Sequence, residues 1–341
     1  MSLWLRIRGA VARLFRGREP APGRFVAGRN FSWSGTLRGS PWTWPSREYL
    51  VYIPRGYSRW KRRPLLVLLH GCRQTPEVIA QGTRIAAIAD RHGWLVLLPR
   101  QPAAANPWSC WNWFDARTAR GSGEAAIVVA QIDSTRRTYR ADPRRIFVAG
   151  MSAGGAMAAV MGVQHSALFS GVIVHSGLAC GAASSPMKAF DVMTQGADGP
   201  YEQIAVAARA KNRGKIVPLL AIQGESDDVV ANINAVQVVR QFLLLNGRIE
   251  PGAKPGTGLP KADVETTLTP PDGHRASVDE YRVGTRTAAR LVRVSELAHA
   301  WSGGDAALPY NDPQPPDASA MLADFIIEQI RAQRRPRFRR P

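Results

Sequence analysis

The chain has 341 residues, 45% of them hydrophobic, enough to bury the core of one large α/β domain or two smaller ones. No run approaches the roughly 18 apolar residues of a membrane-spanning helix. The formal charge is +19, yet residues 1–24 (six Arg, one Glu) and 331–341 (six Arg) carry +11 of it. With no zinc-finger or RNP motif between them, this argues against a nucleic-acid-binding domain and for basic ends that meet anionic surfaces.

The opening "MSLWLRIRGAVARLFRGRE" is not a normal signal peptide, because arginines interrupt its apolar core. On a helix, Trp4, Ile7, Val11, Leu14 and Phe15 share one face and Arg6, Arg13 and Arg16 the other. Two readings stand: a helix lying on an anionic membrane or hydrophobic particle, and a plain basic leader.

From residue 47 the pattern becomes regular. "REYLVYIP" reads as a strand, and "LLVLLH" (65–70) as a strand buried on both faces. A helix is expected from about Thr75 to His92, then the strand "WLVLLP" (94–99) and a helix from Gly123 to Tyr139. "RIFVAG" leads into a helix from Ala153, followed by the strand "GVIVHSG" (171–177), a helix near 201–212 and the strand "IVPLLAIQG" (216–224). A helix over 232–245, the strand "ARLVRVSEL" (289–297) and an amphipathic helix near 318–333 complete the series. Strands alternating with helices predict a mainly parallel sheet covered on both faces. Residues 250–282, rich in Gly, Pro and Thr, interrupt the rhythm and read as a loop or lid.

In "RIFVAGMSAGGAMAAVM" a serine stands between two glycines where a strand becomes a helix. Glycines two residues before and after Ser152 relieve the crowding of a very tight turn. The turn projects the Ser152 hydroxyl above the carboxyl edge of the sheet, at a helix N-terminus that favours negative charge. A hydroxyl needs a base, and the base an orienting acid. In this strand–turn–helix arrangement they follow as Ser, acid, His. "ESDD" offers Glu225, Asp227 and Asp228 after one strand, and "AHAW" offers His299 after the next. Asp227 is favoured over Asp228, and His299 over its one serious rival, His274.

These blocks carry a resemblance. "LLHGCRQTPEVIAQGTRIAAIADRHGWLVLLPRQ", "SCWNWFD", "GMSAGGAMAAVM", "HSGLACGAA", "QGESDDVV" and "AHAWSGGD" resemble, in order, the polyhydroxybutyrate depolymerase family of esterases, which adjoins acetylxylan and feruloyl esterases. The resemblance covers roughly residues 47–330. It implies an α/β-hydrolase fold; with the charge distribution, the expected organisation is residues 1–40 a basic extension, 41–330 the catalytic domain and 331–341 an Arg-rich tail.

It implies Ser152 as nucleophile, Asp227 as acid, His299 as base, and the amides of Cys72 and Ala153 as oxyanion hole. Gln223 stands where the family usually has His. A Cys72–Cys110 bridge is also implied, while Cys180 is assigned nothing. Trp111, Trp113 and Trp301 are expected to contact substrate. The expected substrates are hydroxyalkanoate oligomers or similar small esters; carbohydrate esters and a surface-binding scaffold are the alternatives. No metal or organic cofactor is needed. Secreted polymer-degrading relatives carry a signal peptide and a polymer-binding domain not seen here, which favours soluble substrates over solid polymer and leaves the compartment open.

Overall fold

The computed structural model describes residues 22–31, 46–197, 199–250 and 258–334. The residues of the proposed amphipathic N-terminal helix, and all but the first four of the Arg-rich tail, lie outside them.

A ten-stranded sheet organises the fold. In chain order its strands are β1 (Arg24–Phe31), β2 (Ser46–Ile53), β3 (Arg63–Leu69), β4 (Leu95–Pro99), β5 (Ala141–Met151), β6 (Gly171–His175), β7 (Leu219–Gly224), β8 (Val264–Leu268), β9 (Ala276–Val283) and β10 (Arg286–Val294). In space they run β1-β2-β4-β3-β5-β6-β7-β10-β9-β8. The six strands from β4 to β10 are parallel, and an antiparallel pair closes each edge.

Eight α-helices lie among the described residues: α1 (Pro76–Gly82), α2 (Ile85–His92), α3 (Gly123–Tyr139), α4 (Ala153–Gln164), α5 (Pro186–Gln195), α6 (Tyr201–Lys211), α7 (Asn232–Leu245) and α8 (Ala318–Arg334). The apolar run of β3 explains their placement. Leu65, Val67 and Leu69 point to the face covered by α3, α4 and α7, and Leu66 and Leu68 to the face covered by α1, α2 and α8. A strand buried on both sides has no polar face to show, so its sequence runs unbroken. Residues 153–163 of α4 are all buried. Its small residues let it lie against the sheet, and a Cβ at Gly162 would come within 2.6 Å of Val172.

The structure departs from the sequence reading in four places. The expected helix over 75–92 is two helices. The Thr83 hydroxyl donates back to Ile79 O at 2.7 Å, and Arg84 turns left-handed at φ 52°. This break lets the Arg84 guanidinium reach Gly303 O and Asp317 beside the start of α8.

Within the segment expected as a loop or lid, residues 258–282 hold two strands. β8 and β9 extend the sheet from β10, joined across the turn at Pro270–Gly273. β8 (VETTL) is exposed along most of its length. Its threonines are good strand formers on a half-covered edge but carry no apolar alternation to be read. At the N-terminal side the sheet begins at Arg24, inside the expected extension of residues 1–40. Finally, α5 was not foreseen: Ser185 caps it, its hydroxyl accepting from Lys188 N at 3.2 Å, and Pro186 opens it.

Candidate active site

β5 delivers Met151 to the carboxyl edge of the sheet, and α4 starts at Ala153. Between them Ser152 is held at φ 57°, ψ −124°, a conformation that costs a non-glycine residue about 1–3 kcal/mol. Its N–H donates to His175 O and its carbonyl accepts from Ala156 N, each at 2.9 Å. The two glycines are steric requirements: a Cβ at Gly150 would sit 2.2 Å from Gly154 O, and one at Gly154 would sit 2.2 Å from Leu69 O. Ala153 opens the helix, so its N–H lacks an intrahelical acceptor.

The loop after β3 supplies a second amide. His70 Nε2 accepts from Gln101 N at 3.1 Å, so the proton sits on Nδ1, which donates to Gly71 O at 2.8 Å. That assignment needs a neutral ring, and burial lowers the His70 pKa to about 4. A planar trans peptide points its N–H opposite its carbonyl. With Gly71 O fixed toward His70, Cys72 N–H is therefore aimed away from that ring. Gly71 N donates to Gln74 Oε1 at 2.9 Å, and Trp111 Nε1 donates to His70 O at 3.1 Å.

Cys72 and Cys110 form a disulfide across 38 residues. Beside it Arg73 N donates to Trp108 O at 2.7 Å. The 102–114 segment is tied down in turn by buried Glu124, which accepts from Asn112 N and Nδ2, both at 2.8 Å, and from Gln101 Nε2 at 2.6 Å.

The turn after β7 brings Asp227, and the one after β10 brings His299. They meet with His299 Nδ1 2.8 Å from Asp227 Oδ2. Asp227 Oδ1 accepts from Val229 N at 3.0 Å and Val230 N at 2.8 Å, and Oδ2 also accepts from Gln223 Nε2 at 3.2 Å. Burial alone would raise the Asp227 pKa. Hydrogen bonds from His299, Val230 N–H and the Ser176 hydroxyl outweigh it and hold the carboxyl below its ordinary value. A carboxylate that only accepts places the imidazole proton on Nδ1 and leaves Nε2 with a free lone pair.

Ser152, Ala153, Cys72 and His299 line one cavity of about 600 Å³. Its walls are apolar, with Trp113, Phe114, Leu178, Phe190, Met193 and Val230 prominent. Of the tryptophans expected to contact substrate, only Trp113 lines it. Trp111 and Trp301 do not: Trp111 is spent beneath the Cys72 loop, and Trp301 stacks on His175 at 5.0 Å and donates to Ser319 Oγ at 2.9 Å. Large aromatics near a site satisfy their N–H wherever packing allows, and here that is behind the wall.

Asp228 is exposed, and His274 is engaged by Asp312 Oδ2 at 3.0 Å. The reading from sequence missed Gln223 as a partner of the acid, Ser176 beside it, and the contributions of Phe190, Met193 and Tyr310 to the cavity. Gln223 had carried a signal, as the residue standing where His is usual.

The family described as "Esterase PHB depolymerase" matches residues 47–265. The chain is 32% identical to poly(3-hydroxyalkanoate) depolymerase C of Paucimonas lemoignei over 204 residues, 59% of this chain and 49% of the relative. It thus spans about half the length of that protein. It is 24% identical to acetylxylan esterase A of Emericella nidulans over 252 residues, 71% of this chain and 78% of the relative. Among solved structures, an acetyl xylan esterase from Aspergillus awamori superposes with a TM-score of 0.64 at 17% identity, covering 88% of this chain and 98% of that one. The likeness shows a shared α/β-hydrolase fold.

Proposed function

Since the chain belongs to the esterase PHB depolymerase family, we propose that it is a serine esterase cleaving short hydroxyalkanoate esters through a covalent acyl-enzyme. The observation that carries this is the convergence of the Ser152 turn and the Asp227–His299 pair on one apolar cavity.

His299 Nε2 takes the Ser152 proton as Oγ attacks the ester carbonyl. The oxyanion forms between the amides of Cys72 and Ala153, donors already in place before charge develops. Asp227 holds the imidazolium and stays ionised. His299 then passes its proton to the departing alkoxide, giving an alcohol and an ester of Ser152. Water, deprotonated by the same nitrogen, attacks that ester, and collapse returns the acid and the free serine.

The cavity wall favours hydroxyalkanoates over sugars. Three of its polar side chains are spent on the protein itself: Gln74 on Gly71 N, Asn106 on Trp108 N, and Asn112 on Glu124. A carbohydrate leaving group would find mostly hydrocarbon.

Turnover of hydroxybutyrate dimers and trimers, acetylated xylan and methyl ferulate by the purified protein tests the assignment. The oligomers are expected to lead in kcat/KM by about tenfold or more, the scale on which a mismatched pocket discriminates. Faster cleavage of acetylated xylan or ferulate would replace this reading with the carbohydrate one.

The basic ends are proposed to dock on an anionic membrane or granule surface. Support comes from the described residues at the amino edge of the sheet, opposite the cavity. Trp60 is 81% exposed there, with Arg59 stacked 5.5 Å over its ring. Lys61, Arg62 and Arg63 follow, and Arg331 near the end of α8 lines the same cleft. An exposed aromatic among cations suits a lipid interface. Docked this way the cavity faces water, in keeping with soluble substrates. Co-sedimentation with phosphatidylglycerol vesicles, reversed by 0.5 M salt (on the order of a 4 Å screening length), is the expected result. Equal sedimentation with phosphatidylcholine vesicles would refute it.

A further inference from the structure

Among the described residues, Arg73 is the one permanently charged residue lining the cavity. It directly follows Cys72, whose amide is assigned to the oxyanion. Its backbone is fixed on both sides: Cys72 is locked to Cys110, Arg73 N is bonded to Trp108 O, and the residue sits in the left-handed region at φ 59°. The side chain is exposed. No carboxylate among the described residues lines the cavity with it. Its guanidinium has no hydrogen-bond or ion-pair partner among the described residues, whereas the exposed Arg84 is paired with Asp317 and the half-buried Arg100 with Glu77.

The cavity lining thus holds a serine and a histidine, hydrocarbon walls, and the unspent cation of Arg73, the residue after Cys72. A wholly neutral ester has no use for that cation. An ester whose alcohol part ends in a carboxylate does: its hydrocarbon lies along the walls and its anion meets the planar fork of the guanidinium, which matches two carboxylate oxygens.

We infer that Arg73 selects anionic esters, binding the terminal carboxylate of a hydroxyalkanoate oligomer so that the unit bearing it departs as the free hydroxy acid. This rests on the esterase reading above and adds to it the end of the chain at which cleavage occurs. It also gives a reason for the charge: water attacks the acyl-enzyme only after an anionic product has left, and a weak exposed contact releases such a product readily.

The experiment compares kcat/KM for hydroxybutyrate dimer and trimer as free acids and as methyl esters, in low-salt buffer. For wild type the ratio of free acid to methyl ester exceeds that of Arg73→Gln by about fivefold, the upper end for a solvent-exposed ion pair. The loss lies in KM rather than kcat. Arg73→Lys restores most of it, and Arg73→Glu lowers the ratio further. In wild type alone, raising salt to about 0.5 M shrinks the ratio several-fold, as screening requires. A ratio unmoved by all three substitutions and by salt overturns the inference while leaving the esterase assignment standing. Hydrolysis of neither substrate form by the wild-type protein overturns the hydroxyalkanoate reading itself, and the inference with it.

Discussion

Replacing Ser152 by alanine is expected to lower kcat for every cleaved ester by about 10⁴- to 10⁶-fold, the range seen when a nucleophile of this kind is removed. The expected size follows from what the residue does. Without Oγ no acyl-enzyme forms, and direct attack by water keeps only the help of the oxyanion amides and of binding. Stability should hardly change. Both residues carry a Cβ and bear the same strain at φ 57°, the backbone bonds to His175 and Ala156 remain, and the removed atom is a single hydroxyl facing the cavity. Unfolding free energies should therefore agree to within about 0.5 kcal/mol. A Ser152→Ala protein retaining more than about a hundredth of wild-type kcat would place the nucleophile elsewhere.

The second large effect is expected from Asp227→Asn, a loss of about 10⁴-fold in kcat with little change in KM. The amide oxygen can keep the bonds from Val229 N and Val230 N, so the turn should hold its shape. The amide nitrogen is then left facing His299 Nδ1. It donates where the carboxylate accepted, which moves the imidazole proton to Nε2, the atom that must accept from Ser152. Asp228→Asn, one residue on and exposed, serves as the comparison and should stay within about twofold of wild type, as surface changes usually do. Equal losses from the two substitutions would contradict the assignment of the acid.

Much of this architecture could be read from the chain because its elements obey local rules. A parallel strand buried on both faces shows as an unbroken apolar run, as in β3, β4 and β6, and the helices expected over about 123–139 and about 232–245 are both present. The Ser152 turn was legible because its steric demand falls on the sequence itself, at Gly150 and Gly154.

What escaped reading depends on distant contacts. The break at Thr83–Arg84 serves a meeting with Asp317 and Gly303, more than 200 residues away. β8 exists because β9 offers it an edge. Trp111, Trp113 and Trp301 look alike as residues beside a site. Whether an indole faces the cavity or the core is decided by acceptors such as His70 O and Ser319 Oγ. Gln223 read as a harmless departure, but register places its amide against Asp227, where it restrains the acid.

The most direct measurement is covalent trapping with a fluorophosphonate ester, read by peptide mass spectrometry alongside loss of esterase activity. One adduct per chain is expected on the peptide containing Ser152, with inactivation in step with labelling and no adduct in the Ser152→Ala protein. Full inactivation with the adduct on another residue, or continued ester hydrolysis with the Ser152 peptide fully labelled, would contradict the account.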